Sequence, residues 1–197
     1  MKSSGWVVLA ALAIPGAALA QGESWERRYT VQALGGGMTY AGAAASVTQP
    51  GPAYGVALSG DIVPWLAGEI GYVGATYRTE GIISPTARAD IVENGGQVAV
   101  KLGPPVQSNF RPFALGGVSV QRLSVSNEAV TDGLVIDATE VRLPVGVGIE
   151  LNPANSGLTV GARGTYAFST SNNAFSQLGG NNAAATWTGL AQIGGRF

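Results

Sequence analysis

The chain has 197 residues, of which 30 are glycine, 46% are hydrophobic and only 12% are charged. Eleven Lys and Arg against twelve Asp and Glu give a formal charge of −1, with no histidine and no cysteine. That composition excludes a disordered chain and a basic nucleic-acid module, and it leaves no disulfide frame, thiolate nucleophile or imidazole base.

The N-terminus has the form of a secretion signal. Lys2 is followed by nine apolar residues from Trp6 to Ile14, then Pro15-Gly16, then the small-x-small site Ala18-Leu19-Ala20. Nine residues are too few to span a bilayer. Residues 1–20 are therefore expected to be a cleaved signal peptide, with 21–197 as the exported domain.

Beyond that point helix periodicity is missing and alternation with period two recurs. In the segment 140–151, Val141, Leu143, Val145, Val147, Ile149 and Leu151 share one face. Glu140, Arg142, Pro144, Gly146, Gly148 and Glu150 share the other. Successive strand side chains point to opposite sides, so each such segment has one apolar and one polar or small face. Eight segments follow this pattern, about 28–41, 53–63, 66–79, 95–103, 112–125, 138–151, 158–170 and 185–197. The Gly35-Gly36-Gly37 and Gly116-Gly117 runs admit bulges, which leaves the parity of the first and fifth segments open.

Short and long links alternate between these segments. Four long and three short links suit an eight-stranded antiparallel up-and-down transmembrane β-barrel with short periplasmic turns and longer external loops. A soluble sandwich would also show period-two strands, but its second face would be charged. Here that face is Gly, Ala, Ser and Thr with few charges, apt for a narrow lumen. Tyr29, Trp65, Phe113 and Phe197 fall near the short-turn ends. Tyr40, Tyr54, Tyr166, Phe168 and Trp187 fall nearer the long-loop ends, so the aromatics read as two interfacial girdles. Charges on the parity away from lipid are Glu69, Lys101, Glu140, Arg142, Glu150, Arg163 and Arg196. Of these, Glu69, Lys101, Arg142, Glu150 and Arg163 are expected to form a charge network that plugs the lumen, with Glu69, Lys101, Glu150 and Arg163 at similar depth as a neutral set, because buried charges need partners.

The C-terminal segment Thr188-Gly189-Leu190-Ala191-Gln192-Ile193-Gly194-Gly195-Arg196-Phe197 resembles the assembly signal of bacterial outer-membrane proteins, with Gly189, Ile193 and Phe197 at its defining positions. Asn109-Phe110-Arg111-Pro112-Phe113-Ala114-Leu115-Gly116-Gly117 is similar to the start of a central strand in small OmpA/OmpX-like barrels. The resemblance implies insertion by the barrel assembly machinery after escort by periplasmic chaperones, and contact with outer-membrane lipids and lipopolysaccharide. Enzymatic relatives of that size mostly need histidine, which this chain lacks.

No cofactor or metal is expected. Asp90, Asp132, Asp137, Glu80, Glu93 and Glu128 read as solvated loop acids, without the D-x-[DN]-x-[DN]-G spacing of a calcium loop. The function expected is that of a non-enzymatic integral outer-membrane barrel with a structural, adhesive or surface-interaction role. The alternative is a narrow passive or gated channel for ions or small solutes.

Overall fold

The computed structural model describes residues 29–42, 45, 48–80, 88–104, 109–125, 138–153, 156–170 and 185–197. The signal segment, the acids Asp132, Asp137 and Glu128, and most of the long links lie outside the described residues. Among the described residues nine strands run β1 (Tyr29–Tyr40), β2 (Thr48–Gln49), β3 (Gly51–Val63), β4 (Leu66–Glu80), β5 (Arg88–Leu102), β6 (Phe110–Val125), β7 (Ala138–Leu151), β8 (Leu158–Ser169) and β9 (Thr186–Arg196). Eight of them close a ring of antiparallel pairs, β1-β3-β4-β5-β6-β7-β8-β9 and back to β1. The two-residue β2 adds to the upper end of β4, pairing Thr48 with Thr79.

The register fixes the barrel's dimensions. One row of partners runs Tyr29, Gly60, Gly68, Val100, Gly116, Val145, Tyr166, Trp187 and returns to β1 at Thr39, ten residues above its start. With strands about 4.8 Å apart and about 3.3 Å per residue, that stagger tilts the strands by about 40° and sets a radius of about 8 Å. Each residue then climbs about 2.5 Å along the axis.

Alternation divides the wall cleanly. Val56, Leu58, Ile70, Val98, Val100, Val118, Val120, Val145, Val147 and Ile149 are exposed on the outside. Gln32, Leu34, Met38, Glu69, Lys101, Arg142 and Glu150 are buried inside. The parity left open at the two glycine runs is settled. β1 keeps one continuous register with both neighbours, so Leu34, Met38 and Tyr40 face the lumen and no bulge intervenes. The pairing of β6 with β5 is likewise continuous through Gly116-Gly117. A register shift does occur between Asp61 and Val63, beside the tight turn into β4.

Three boundaries differ from the sequence reading. β3 begins at Gly51 instead of residue 53, β5 at Arg88 instead of residue 95, and β6 at Phe110 instead of residue 112. The link ahead of β3 also holds the extra strand β2. The sequence reading takes residues 80–94 as a long link, with the strand starting at Gly95. The ladder from Glu80–Arg88 to Ala75–Glu93 instead carries β4 and β5 upward together.

The inner wall of so narrow a ring is crowded and the outer wall is open. A Cβ built on the lumen side at Gly36 would overlap the carbonyl oxygen of Gly189, whereas one at outward-facing Gly35 meets nothing within 4 Å. Gly36→Ala should therefore destabilise the refolded barrel by about 1–3 kcal/mol, as overpacking does. Gly35→Ala should change stability little. Equilibrium urea unfolding of the two variants checks the difference.

Candidate functional site: the barrel lumen

The lumen holds two groups of charged side chains at different heights. The lower begins inside the short-turn mouth and climbs as a ladder of alternating sign. Arg163 Nη1 lies 2.6 Å from Glu69 Oε1, and Lys101 Nζ lies 2.8 Å from Glu69 Oε2 and 2.9 Å from Glu150 Oε1. Arg111 Nη1 lies 3.9 Å from Glu150 Oε2 and 3.3 Å from Asp61 Oδ1, whose other oxygen is 2.7 Å from Arg196 Nη2. Gln32 and Gln192 each donate an amide N–H to Glu150 Oε1, at 3.3 and 3.4 Å. Of the expected network, Glu69, Lys101, Glu150 and Arg163 come together here.

Arg142 does not join them. It sits in an upper group, where Nη1 donates to Glu93 Oε1 at 2.5 Å and Nε and Nη2 donate to Glu140 Oε2 at 3.1 and 2.9 Å. Tyr40 donates its hydroxyl to Glu93 Oε2 at 3.2 Å, and the Arg142 guanidinium lies over the Tyr40 ring at 5.8 Å. Tyr40 packs against Tyr77 with ring centroids 4.8 Å apart, and the Tyr77 hydroxyl donates to Met38 Sδ. Ile91, Leu123, Val73 and Ala75 are buried in the same cluster. This is an apolar core inside the barrel's upper half. Between the two groups the space narrows to a cavity of about 30 Å³ lined by Arg142, Arg163, Thr165 and Gln97, among others.

Three side-chain placements correct the sequence reading. Glu93 is not a loop acid. It is 1% exposed in the wall of β5 and carries one arm of the Arg142 pairing, because β5 starts seven residues earlier than its hydrophobic pattern shows. Phe113 is not part of a lipid-facing girdle. It is 4% exposed and faces inward. Its ring lies where a Gly148 side chain would be, and Lys101 Nζ stands 5.0 Å over it. The outward row of β6 is Phe110, Pro112, Ala114, Gly116, Val118 and Val120, so Arg111 shares the inner parity of Phe113. Taking Phe113 as outward hid Arg111. The alternation of Val118 and Val120 was the signal that could have found it. Tyr40 also faces the lumen rather than lipid.

Phe110 takes the place of Phe113 outside. Together with Tyr29, Trp65 and Phe197 it makes the short-turn girdle, and all four are exposed. Tyr54, Tyr72, Phe168 and Trp187 are exposed at the other level. Half-buried Tyr166 is wedged edge-on between Phe168 and Trp187, at 4.7 and 4.6 Å. From the register, the two girdles stand about 20 Å apart along the axis, against about 25 Å for the apolar band of such barrels. Gly189, Ile193 and Phe197 all lie on the outward row of β9 and its end. Phe197 exchanges backbone hydrogen bonds with Tyr29, and their rings are 6.4 Å apart. Asp90 lies within β5.

The Lys101 ammonium bridges two carboxylates at 1% exposure, so removing it leaves Glu69 with Arg163 as its one base and Glu150 with Arg111 at 3.9 Å as its own. Lys101→Met should cost about 3–5 kcal/mol in equilibrium unfolding. The triple change of Lys101, Glu69 and Glu150 to apolar residues of similar volume should cost less than the single substitution only if Arg163 and Arg111 are neutralised too.

Known proteins supply a likeness of fold. No protein-family model and no curated protein sequence matches the chain. Among solved structures, Neisserial surface protein A superposes with a TM-score of 0.63 at 16% identity, over 86% of this chain and 97% of its own. OprG, an outer-membrane protein of Pseudomonas aeruginosa, gives 0.55 at 13% identity, over 86% of this chain and 95% of its own. Ail, the attachment invasion locus protein of Yersinia pestis, in complex with the heparin analogue sucrose octasulfate, gives 0.52 at 12% identity, over 86% and 97%. The chain has the fold of small eight-stranded outer-membrane barrels.

Proposed function

We infer that the chain is a non-enzymatic integral barrel of a bacterial outer membrane, with its lumen closed and its working surface at the long-loop end. The observation that carries this is the outward belt of Val, Leu and Ile between two aromatic girdles. Such a belt has no stable partner except hydrocarbon, and a closed barrel is one of only two ways to satisfy every backbone group there. The short turns then face the periplasm and the long links face outward, where one neighbour of the same fold carries the name of an attachment protein.

Closure is supported by the packing of the upper lumen. Tyr40, Tyr77, Leu123 and the Glu93–Arg142–Glu140 group are all buried there, and the cavity of about 30 Å³ that Glu93 and Arg142 help to line has room for one or two waters. The absence of His and Cys from the sequence, and the engagement of each of these buried carboxylates by a base, support a non-catalytic reading. Arg78 on β4 and Arg122 on β6 point outward about 10 Å above the upper girdle, at the level of lipid phosphates, which favours contact with lipopolysaccharide. The outward row of Gly189, Ile193 and Phe197 is the surface the assembly machinery would read.

The reading makes two observable demands. The refolded protein should migrate faster on gels unheated than boiled, and in planar bilayers it should give no steady unitary openings. Large stable openings that Glu150→Ala and Arg163→Ala leave unchanged would assign the chain to channels instead.

A further inference from the structure

The upper group of lumen charges is fully engaged, but the short-turn mouth carries donors with no acceptor. Arg111 Nε and Nη2 and Asn152 Nδ2 are buried without a hydrogen-bond partner. Arg111 is 4% exposed, and its ion pairs run through Nη1 alone, to Asp61 and Glu150. Nε and Nη2 form one edge of the guanidinium. They are the two parallel N–H donors that fit two oxygens of a phosphate or carboxylate.

Asn152 lies just past the end of the neighbouring strand β7. Glu150 is the register partner of Arg111, and Asn152 is the next position of that parity toward the mouth, held there by its N–H bond to the Asn109 carbonyl at 2.8 Å. Its Oδ1 already accepts from the Thr159 hydroxyl at 2.8 Å, which leaves the amide nitrogen as a donor. The charge balance agrees. Among the described residues the ladder comprises the four bases Arg163, Lys101, Arg111 and Arg196 against the three acids Glu69, Glu150 and Asp61. Asp61, the acid nearest the mouth, is itself held by Arg196.

We propose that the short-turn mouth of the barrel binds a small oxyanion, through a phosphate or carboxylate group seated on the Nε–Nη2 edge of Arg111, with the Asn152 amide as a further donor. The site is separate from the long-loop surface and needs no open lumen. It would put an anion-binding function on the side opposite to any surface partner.

The test is titration calorimetry of the refolded full chain with sodium phosphate at constant ionic strength, in alkyl maltoside micelles, which carry no phosphate. One saturable site per chain is expected. Arg111→Lys, which keeps the charge but lacks the planar edge, should weaken it at least tenfold. Asn152→Asp, which puts a carboxylate where the donor was, should do the same. Should Arg111→Lys fail to fold by unheated gel mobility, Asn152→Asp decides alone. Absence of saturable binding, meaning that water alone satisfies the edge, overturns the proposal, as does binding that both substitutions leave intact. Adding phosphatidylglycerol to the micelles identifies the source. Competition with free phosphate assigns the site to a lipid headgroup and unchanged affinity assigns it to a soluble anion, and either result upholds the shared chemistry.

Discussion

Closing eight strands with a ten-residue stagger leaves an interior about 8 Å in radius to the backbone, and the other features of this protein follow from that limit. Inward side chains of eight strands meet one another across so small a space, and no charge can stand there unmatched. Among the described residues, five bases (Lys101, Arg111, Arg142, Arg163, Arg196) share the lumen with five acids (Asp61, Glu69, Glu93, Glu140, Glu150). The same narrowness crowds the inner wall until inward Gly36 and Gly194 admit no Cβ, whereas outward Gly35, Gly164 and Gly189 have open space.

The charges contribute more to register than to raw stability. A buried ion pair roughly breaks even against well-packed apolar residues, since desolvation offsets most of the attraction. Slipping one strand by a single residue is another matter, because it would turn its inward charges toward lipid. There an Arg or Lys costs roughly 2–4 kcal/mol near mid-membrane. Arg142, Glu140 and Glu150 on β7, with Lys101 and Glu93 on β5, therefore hold those strands to one alignment. Apolar packing in the upper half, around Tyr40, Tyr77, Met38 and Leu123, completes the interior where the ladder ends.

The architecture was legible wherever one face of a strand is uniformly apolar. β7, β8 and β9 announce themselves by that alternation, and their parity alone puts Glu150, Arg142 and Arg163 inside. Illegible were the places where the lumen itself is apolar. Phe113 and Tyr40 look like lipid-facing aromatics because sequence alone gives no hint that Gly148 leaves room for one ring or that Glu93 takes the hydroxyl of the other. The upper part of β5 failed for a related reason: Ile91 and Glu93 share a face, so the period-two signal disappears once the strand rises beyond the apolar belt. Partners across the ring, such as Arg111 with Asp61, depend on a stagger that only the closed register supplies.

The central claim is that the belt between the girdles lies in hydrocarbon, and depth-resolved fluorescence quenching by brominated lipids addresses it most directly. Single-tryptophan forms retaining Trp65 or Trp187, or carrying Val147→Trp at mid-belt, where the native valine is 68% exposed, report three levels of one wall. The account predicts strongest quenching of the Val147→Trp form by bromines near the chain ends, and of Trp65 and Trp187 by bromines near the headgroups. Equal, weak quenching at all three positions would contradict it.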